Sequence, residues 1–500
     1  MAFNEKNVRL VFGLKLRQSR LDKKFSLSEL SKKCKISISY LNEIEKGKKY
    51  PKTEKIIALS KALDVSYDYL ISFQLNKKLA PISELIQSNI LEELPLDFFG
   101  VEASDLIEIL SVAPTKLSAF INSIIQISRS YDIRVEHFFY SALRSYQEMI
   151  DNYLEDTENA AAEFIRKFDV GYKGIDRIDL FRSILINEYG YTIEEDSFGD
   201  VKDLETLRYL YRPDCKILML NEKINKNQYL FILGREIGYN FLGITDRSFT
   251  SSWVEVKKFD HILNNFKAYY FSSAIILHEK NFVKGLIEFS TNVEFDPERL
   301  VDLMESYNSN AEMFMLRITN LIPRFFKFHE MFFFRYNHDL TTNTFSLTKD
   351  LLLSGLHKQH GMISDFQPCK RWSGITILKE LSILQEKNEY KRPICRINRV
   401  KYSQTTREYL IISVAHPMYP TQNMNCSINV GFQINEKLLR RIKFLNDPKI
   451  PFTEIDLDWI IRNSGNCEDD LEKPSVMIKE SKTRKIREAV NELLSGQLVS

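Results

Sequence analysis

Ser37 to Pro51 reads SISYLNEIEKGKKYP, and the fold of the chain's amino-terminal part follows from that stretch. Ser37 offers an N-cap, Leu41 and Ile44 share one helical face, and Gly47 is the residue type that ends a helix in a left-handed turn. Just upstream, Ser26 is followed three residues later by Glu29, the spacing of a capping box, and Leu27 and Leu30 open the inner face of another short helix that breaks at Lys35 and Ile36. Two short helices joined by a tight turn make a helix-turn-helix, whose second helix enters the major groove with its first residues toward base edges. A preceding helical pattern from Val8 to Ser19 carries Val11, Leu14 and Leu16. Two following patterns, Thr53 to Leu63 and Ser66 to Ile71, supply Ile56, Ile57, Leu59, Leu63 and Leu70 to close a small core.

Chemistry assigns roles within the second helix. Asn42 suits adenine, Ser39 a base or a phosphate, and Ile38 a thymine methyl. Lys46, Lys48 and Lys49 fall where phosphates run, and such contacts fix register without reading sequence. The plainer reading is a helical bundle with a solvated lysine face. Charge argues against it: residues 1–75 hold 16 Lys and Arg against 8 Asp and Glu, a net of +8, in a chain whose total is +2, so residues 76–500 carry −6. A basic head on a mildly acidic body is the footprint of a module that meets a polyanion at one end.

This part of the chain resembles the XRE family, the helix-turn-helix proteins typified by the phage lambda and Cro repressors. The resemblance rests on Leu16-Arg17, Leu27-Ser-Glu-Leu30, Tyr40-Leu41, Ile44-Glu45-Lys46-Gly47, Pro51 and Ala62-Leu63-Asp64-Val65, all in order. It implies a structural pair between Arg17 and Glu45, and it implies that Ser37, Ile38, Ser39, Asn42 and Glu43 face double-stranded DNA.

The rest of the chain is ordinary in composition, 44% apolar and 27% charged, and its length suggests roughly three or four domains. No apolar run approaches the ~18 residues that span a bilayer, and the start lacks an apolar signal core, so a cytoplasmic protein without membrane contact is expected. Six scattered cysteines, with no C-x-x-C pair, signal neither a disulfide framework nor a standard zinc site. Residues 76–154 read as a helical linker and dimerisation region, which implies a homodimer. From about Ala160 the pattern mixes helix and strand, with a strand at Lys216 to Leu220 and a helix at Gln228 to Leu242.

Here the body resembles the ImmA/IrrE family of metallopeptidase-like domains, whose corresponding helix carries H-E-x-x-H to bind zinc and activate water. In this chain those positions read Arg235, Glu236, Ile237, Gly238 and Tyr239, and Lys267 stands where the family places its third, acidic ligand. Only Glu236 survives, so no metal and no cofactor is expected, and the domain is a pseudo-metallopeptidase rather than an enzyme. His278, His329, His357 and His360 lack the i, i+4 partner of a zincin helix, and no G-x-S-x-G or G-x-G-x-x-G element organises another active site.

The order of later segments extends the resemblance to large regulators of short-chain fatty acid metabolism. These are Phe295 to Val301, Asn310 to Leu321, an aromatic strand candidate at Phe325 to Tyr336 and another at Glu408 to Val414. Cys369 and Cys467 match the first and last cysteines of those regulators' cluster-binding set, but Trp459 and Arg462 occupy the two positions between. The resemblance implies a small effector such as an acyl-coenzyme A. The aromatic stretch is either plain core or the lining of an apolar pocket, and the basic helical pattern at the end is a docked helix, a dimer seam or a second DNA contact.

The expected fold is therefore mainly α with an α+β body. A five-helix lambda repressor-like head spans 1–75 and the helical linker 76–154. A degenerate zincin-like α+β domain spans 155–340, an α+β effector-binding domain 341–475, and a basic helix 476–500. Three functions stay open: a ligand-responsive transcription regulator, an antitoxin-like interaction protein that regulates its own promoter, and an ImmA-type metallopeptidase, which the lost ligands disfavour.

Overall fold

Three serines set the spacing of the first helices in the computed structural model. Ser26 Oγ accepts the Glu29 amide at 3.2 Å while its own amide donates to Glu29 Oε2 at 2.7 Å. Ser37 Oγ accepts from Tyr40 N–H at 3.3 Å and Ser66 Oγ from Tyr69 N–H at 3.0 Å. Each hydroxyl satisfies a donor that a helix start leaves orphaned. The structure describes residues 5–72, 135–171, 177–195, 204, 206–250, 258–353, 372–402, 407–421, 423–455, 485–491 and 494. The chain divides into two compact units, Met1–Ala142 and Leu143–Ser500.

The first unit opens with α1 (Glu5–Asp22), α2 (Leu27–Cys34), α3 (Ile38–Glu45), α4 (Thr53–Leu63) and α5 (Tyr67–Ile71). Leu16, Leu30, Leu41, Ile44, Leu59 and Leu63 are fully buried in one cluster, each contributing about 1.5–3 kcal/mol of burial. Ile57, expected in this core, is 42% exposed. It lies one residue, about 100°, round the helix from Ile56 and misses the buried stripe. Two glycines permit close approach. A Cβ on Gly13 would collide with the carbonyls of Ile44 and Glu45, and Gly47, at φ +68°, rests against Leu10.

In the second unit, which also takes the end of α6 (Val135–Met149), helices α7 (Glu155–Lys167), α8 (Arg177–Asn187), α9 (Lys226–Phe241) and α10 (Phe259–Ile276) accompany a small sheet. Its strands are β1 (Thr192–Glu195), β2 (Tyr209–Arg212) and β3 (Ile217–Leu220), ordered β1-β3-β2, with β1 parallel and β2 antiparallel to β3. Helices α11 (Glu279–Thr291), α12 (Glu298–Ser306) and α13 (Ala311–Phe326) lead into a six-stranded sheet. Its strands are β4 (Met331–Asp339), β5 (Thr344–Leu352), β6 (Ile394–Tyr402), β7 (Glu408–Pro417), β8 (Met424–Gln433) and β9 (Phe452–Ile455), ordered β5-β4-β8-β7-β6-β9. Only β6 and β9 pair in parallel.

Strand alternation gives this sheet two buried faces. Met331 and Phe333 join the large core with α13, whereas Phe332, Phe334 and Tyr336 pack with α14 (Ser373–Glu386) on the other side. The short helix α15 (Glu436–Arg441) follows β8. A buried ion pair ties the helices together: Arg317 on α13 binds both oxygens of Glu158 on α7, and Tyr270 on α10 donates to Glu158 Oε1 at 2.7 Å.

Several expected boundaries move. Phe325 and Phe326 end α13, and the aromatic strand begins at Met331. The division expected between 340 and 341 falls in the turn joining β4 to its antiparallel partner β5, and one apolar core runs from Ala161 to Ile450. The described residues of 155–340 and 341–455 thus share a core, because β4 completes a sheet whose other strands come later in the chain. Near the end, residues 485–491 are helical, and Ile486, Ala489 and Val490 are buried against Leu204, Leu207, Leu210 and Met219. The helical patterns of 76–134, together with His357, His360, Cys369, Trp459, Arg462 and Cys467, lie outside the described residues. Among the described residues no helix is long and apolar enough to cross a membrane.

Candidate nucleic-acid interface

The surface of α3 is built from its start. Ser37 spends its oxygen lone pair on the Tyr40 amide, which fixes the helix N-terminus and leaves the hydroxyl hydrogen to donate. The next turn presents Ile38, 48% exposed, with Ser39 and Asn42 also exposed. Leu41, Ile44 and Glu45 point inward and are buried. Glu43 is half-buried, and its carboxylate is held by Lys49 Nζ at 2.8 Å, so the acidic side chain enters this surface already neutralised.

The exit turn wraps onto the helix end. Lys48 and Lys49 both donate their backbone N–H to the Glu43 carbonyl, and Lys46 and Gly47 cap Asn42 and Ile44. Lys55 Nζ stands 3.9 Å above the Tyr40 ring and Lys49 Nζ 5.7 Å from it, so Tyr40 gathers two ammonium groups beside the helix.

The pair implied for Arg17 and Glu45 is corrected. Glu45 is held by Arg20, with Nε–Oε1 at 2.7 Å and Nη2–Oε2 at 2.9 Å, while Arg20 Nη1 donates to the Phe25 carbonyl at 2.8 Å. Arg20 lies three residues beyond Arg17, in the last turn of α1, where it faces the end of α3. Sequence reasoning also missed Lys15. It is fully buried, with Nζ bonded to the Tyr69 carbonyl at 2.7 Å, to Ser72 Oγ at 2.8 Å and to the Ser72 carbonyl, and it joins α1 to the end of α5. A lysine among apolar neighbours in sequence gives no sign of that role.

In the body, α9 brings Arg235, Glu236 and Tyr239 into a closed cluster, and Lys267 is half-buried on α10. Glu236 is fully buried and bonded to Arg247 Nη2 at 2.7 Å and to the Tyr191 hydroxyl at 3.2 Å. The Arg247 guanidinium lies 4.1 Å from the Tyr239 ring centroid and 4.2 Å from that of Tyr211, and Arg235 lies 4.4 Å from that of Tyr209. Arg235 Nε and Nη2, Glu236 Oε1 and Arg247 Nη1 are buried without hydrogen-bond partners, a cost to the fold. Burial pushes the Tyr239 phenol up, away from the ionised form. The residues do not fit zinc: two guanidinium groups and a protonated phenol surround the one carboxylate, and an arginine already holds it. Among the described residues no cluster of three His, Cys, Asp or Glu could hold a metal.

A concave feature lies between α11, α13, β7, β8 and α15. It is an apolar cavity of about 70 Å³ lined by Phe289, Ile318, Phe326, Phe328 and Phe432, with Lys437 and Arg441 beside it. Phe326 and Phe328 come from the aromatic stretch, while Met331 to Phe334 are core.

Residues 16–70 match the helix-turn-helix family. The control protein C.BamHI of Bacillus amyloliquefaciens is 38% identical over 68 residues, which are 13% of this chain and 84% of that protein. A Mycobacterium tuberculosis transcriptional regulator of known structure aligns with a TM-score of 0.44 at 14% identity, over 64% of this chain and 88% of that one.

Proposed function

The chain belongs to the helix-turn-helix family through residues 16–70, and from that premise we propose that it is a sequence-specific DNA-binding transcriptional regulator that reads its site through α3. The observation that carries this reading is the α3 surface: a capped helix whose exposed side chains are Ile38, Ser39 and Asn42, flanked by Lys46, Lys48 and Lys49. Those side chains match base edges and the lysines match phosphates. A homodimer would set two such helices about 34 Å apart, one turn of DNA.

The remainder of the chain we read as the part that decides when α3 binds. A degenerate ImmA/IrrE-like body, similar to that of short-chain fatty acid regulators, supports an effector such as an acyl-coenzyme A. The apolar cavity beside Lys437 and Arg441 suits a short acyl tail next to an anionic group. The closed Arg235–Glu236–Arg247 cluster supports a body without enzymatic activity.

Mapping the DNA bound by the full chain across its genome tests the first reading. One palindromic motif with half-sites a helical turn apart is expected, and binding without sequence preference would overturn it. A thermal-shift series with acyl-coenzyme A compounds tests the effector, which a flat response would eliminate. Stoichiometric zinc in purified protein would revive the metallopeptidase, and co-purification of one stable protein partner would favour the antitoxin-like alternative.

A further inference from the structure

The described cysteines are not alike. Burial pushes the thiols of Cys34 and Cys395 up, and Cys215 is exposed. Cys426 stands on β8 directly opposite His416 on β7, and is 2% exposed. Its Sγ lies 3.4 Å from His416 Nε2 and 3.8 Å from Nδ1. Nδ1–H donates to the Pro417 carbonyl at 2.8 Å, which orients the ring and leaves Nε2 to exchange a proton with the sulfur.

The surroundings are cationic. Arg335 on β4 pairs in register with Ile428, two residues from Cys426, so both side chains project from the same face of the sheet. Arg335 Nη1 and Lys349 Nζ share the Glu312 carboxylate, at 3.0 and 3.2 Å. Arg208 donates through Nε to the Tyr419 carbonyl at 3.3 Å and has no carboxylate partner among the described residues. Three cationic side chains thus meet one carboxylate, and the Cys426 sulfur is placed to supply a second negative charge. Burial would raise this thiol, but His416 and Arg335 more than offset it and hold it below its ordinary value. Burial likewise depresses the His416 imidazole, and the sulfur beside it more than restores it. The side chains of Arg335, Glu312 and Lys349 remain 17%, 20% and 43% exposed, whereas the sulfur beneath them is buried, so an oxidant reaches Cys426 by passing these polar groups.

We propose that Cys426 is a peroxide-reactive thiolate, held ready by His416 and by the cations at the polar end of the six-stranded sheet. Thiolate character in an electropositive setting is what makes a cysteine reactive toward a hydroperoxide that reaches it. The sulfur attacks the terminal oxygen of the hydroperoxide; an S–O bond forms as the O–O bond breaks, and sulfur gives up two electrons. The leaving oxygen takes the proton from His416 Nε2, giving water or an alcohol, a neutral imidazole and the Cys426 sulfenic acid.

The test uses the full chain, with hydrogen peroxide below stoichiometry, dimedone to trap sulfenic acid, and peptide mapping of all six cysteines from about pH 5 to 8, below the ordinary thiol range. The dimedone adduct should appear first at Cys426 and form at lower pH than at the other five cysteines. His416→Asn should slow it about a hundredfold or more, with circular dichroism reporting that the variant is folded. First adducts at any other cysteine, modification of Cys426 only after denaturation, or an unchanged rate in folded His416→Asn would each overturn the proposal. The wild-type map decides even if that variant fails to fold.

Discussion

Arg20 grips both carboxylate oxygens of Glu45, at 2.7 and 2.9 Å, where the two side chains are only 10% and 2% exposed. The pair fastens the last turn of α1 to the end of α3, so it governs how α3 is presented. Removing one partner leaves the other charge buried, which costs about 3–5 kcal/mol. Arg20→Met and Glu45→Gln should each destabilise the head by that order, measured by amide exchange in residues 5–72 of the full chain. Arg20→Met and Glu45→Gln combined should cost little more than either alone, and fully additive losses would contradict the pairing.

If α3 reads DNA as proposed, Asn42 and Lys48 separate specificity from grip. Asn42→Ala should cost about 1–3 kcal/mol on the cognate site and relax preference at one base pair, because a base-edge contact is lost. Lys48→Ala should weaken all sequences alike and lower the salt slope of binding by about one, the signature of a phosphate contact. Fluorescence anisotropy on cognate and scrambled duplexes at several salt concentrations distinguishes them. A uniform loss for Asn42→Ala would remove it from the base-reading set.

Local chemistry made the head legible. Ser26, Ser37 and Gly47 announce helix ends within a few residues of where they act, and the inward spacing of Leu41 and Ile44 needs only the helical period. The choice between Arg17 and Arg20 needed the position of α3 against α1, which no short-range pattern encodes. The body was harder for the same reason. Glu236 drew notice only through a resemblance, its partner Arg247 lies outside the residues that carry it, and an arginine at 235 and a tyrosine at 239 do not by themselves reveal an internal ion pair. Cys426 and His416 meet through the register of two strands, and the β4–β5 hairpin crosses the boundary at 340 that the family resemblance implied.

The Glu236–Arg247 pair should be structural. Arg247→Leu strips a fully buried carboxylate of its main counter-charge and should destabilise the second unit by about 3–5 kcal/mol. Glu236→Gln should cost less, since the amide keeps the Tyr191 contact and leaves a cation already stacked on Tyr211 and Tyr239. Urea unfolding monitored through Trp372 fluorescence, with the other tryptophans replaced, reports on this unit. Stability unchanged in Arg247→Leu would refute a structural pair.

Lys15 gives the head a pH response. Burial lowers its ammonium to about 8, although carbonyls of Tyr69 and Ser72 accept its hydrogens. The unfolded chain keeps the ordinary lysine value near 10.5, so between about 8 and that value the unfolded state binds the extra proton. Stability of the head should therefore rise with pH across this window and be insensitive to Lys15 below it, where both states are protonated. Amide exchange in α1 and α5, corrected for the intrinsic effect of pH, should show slower opening toward the alkaline end, and Lys15→Met should flatten the trend. A wild-type profile that is flat between pH 8 and 10 would mean that the three oxygen acceptors hold the charge against burial.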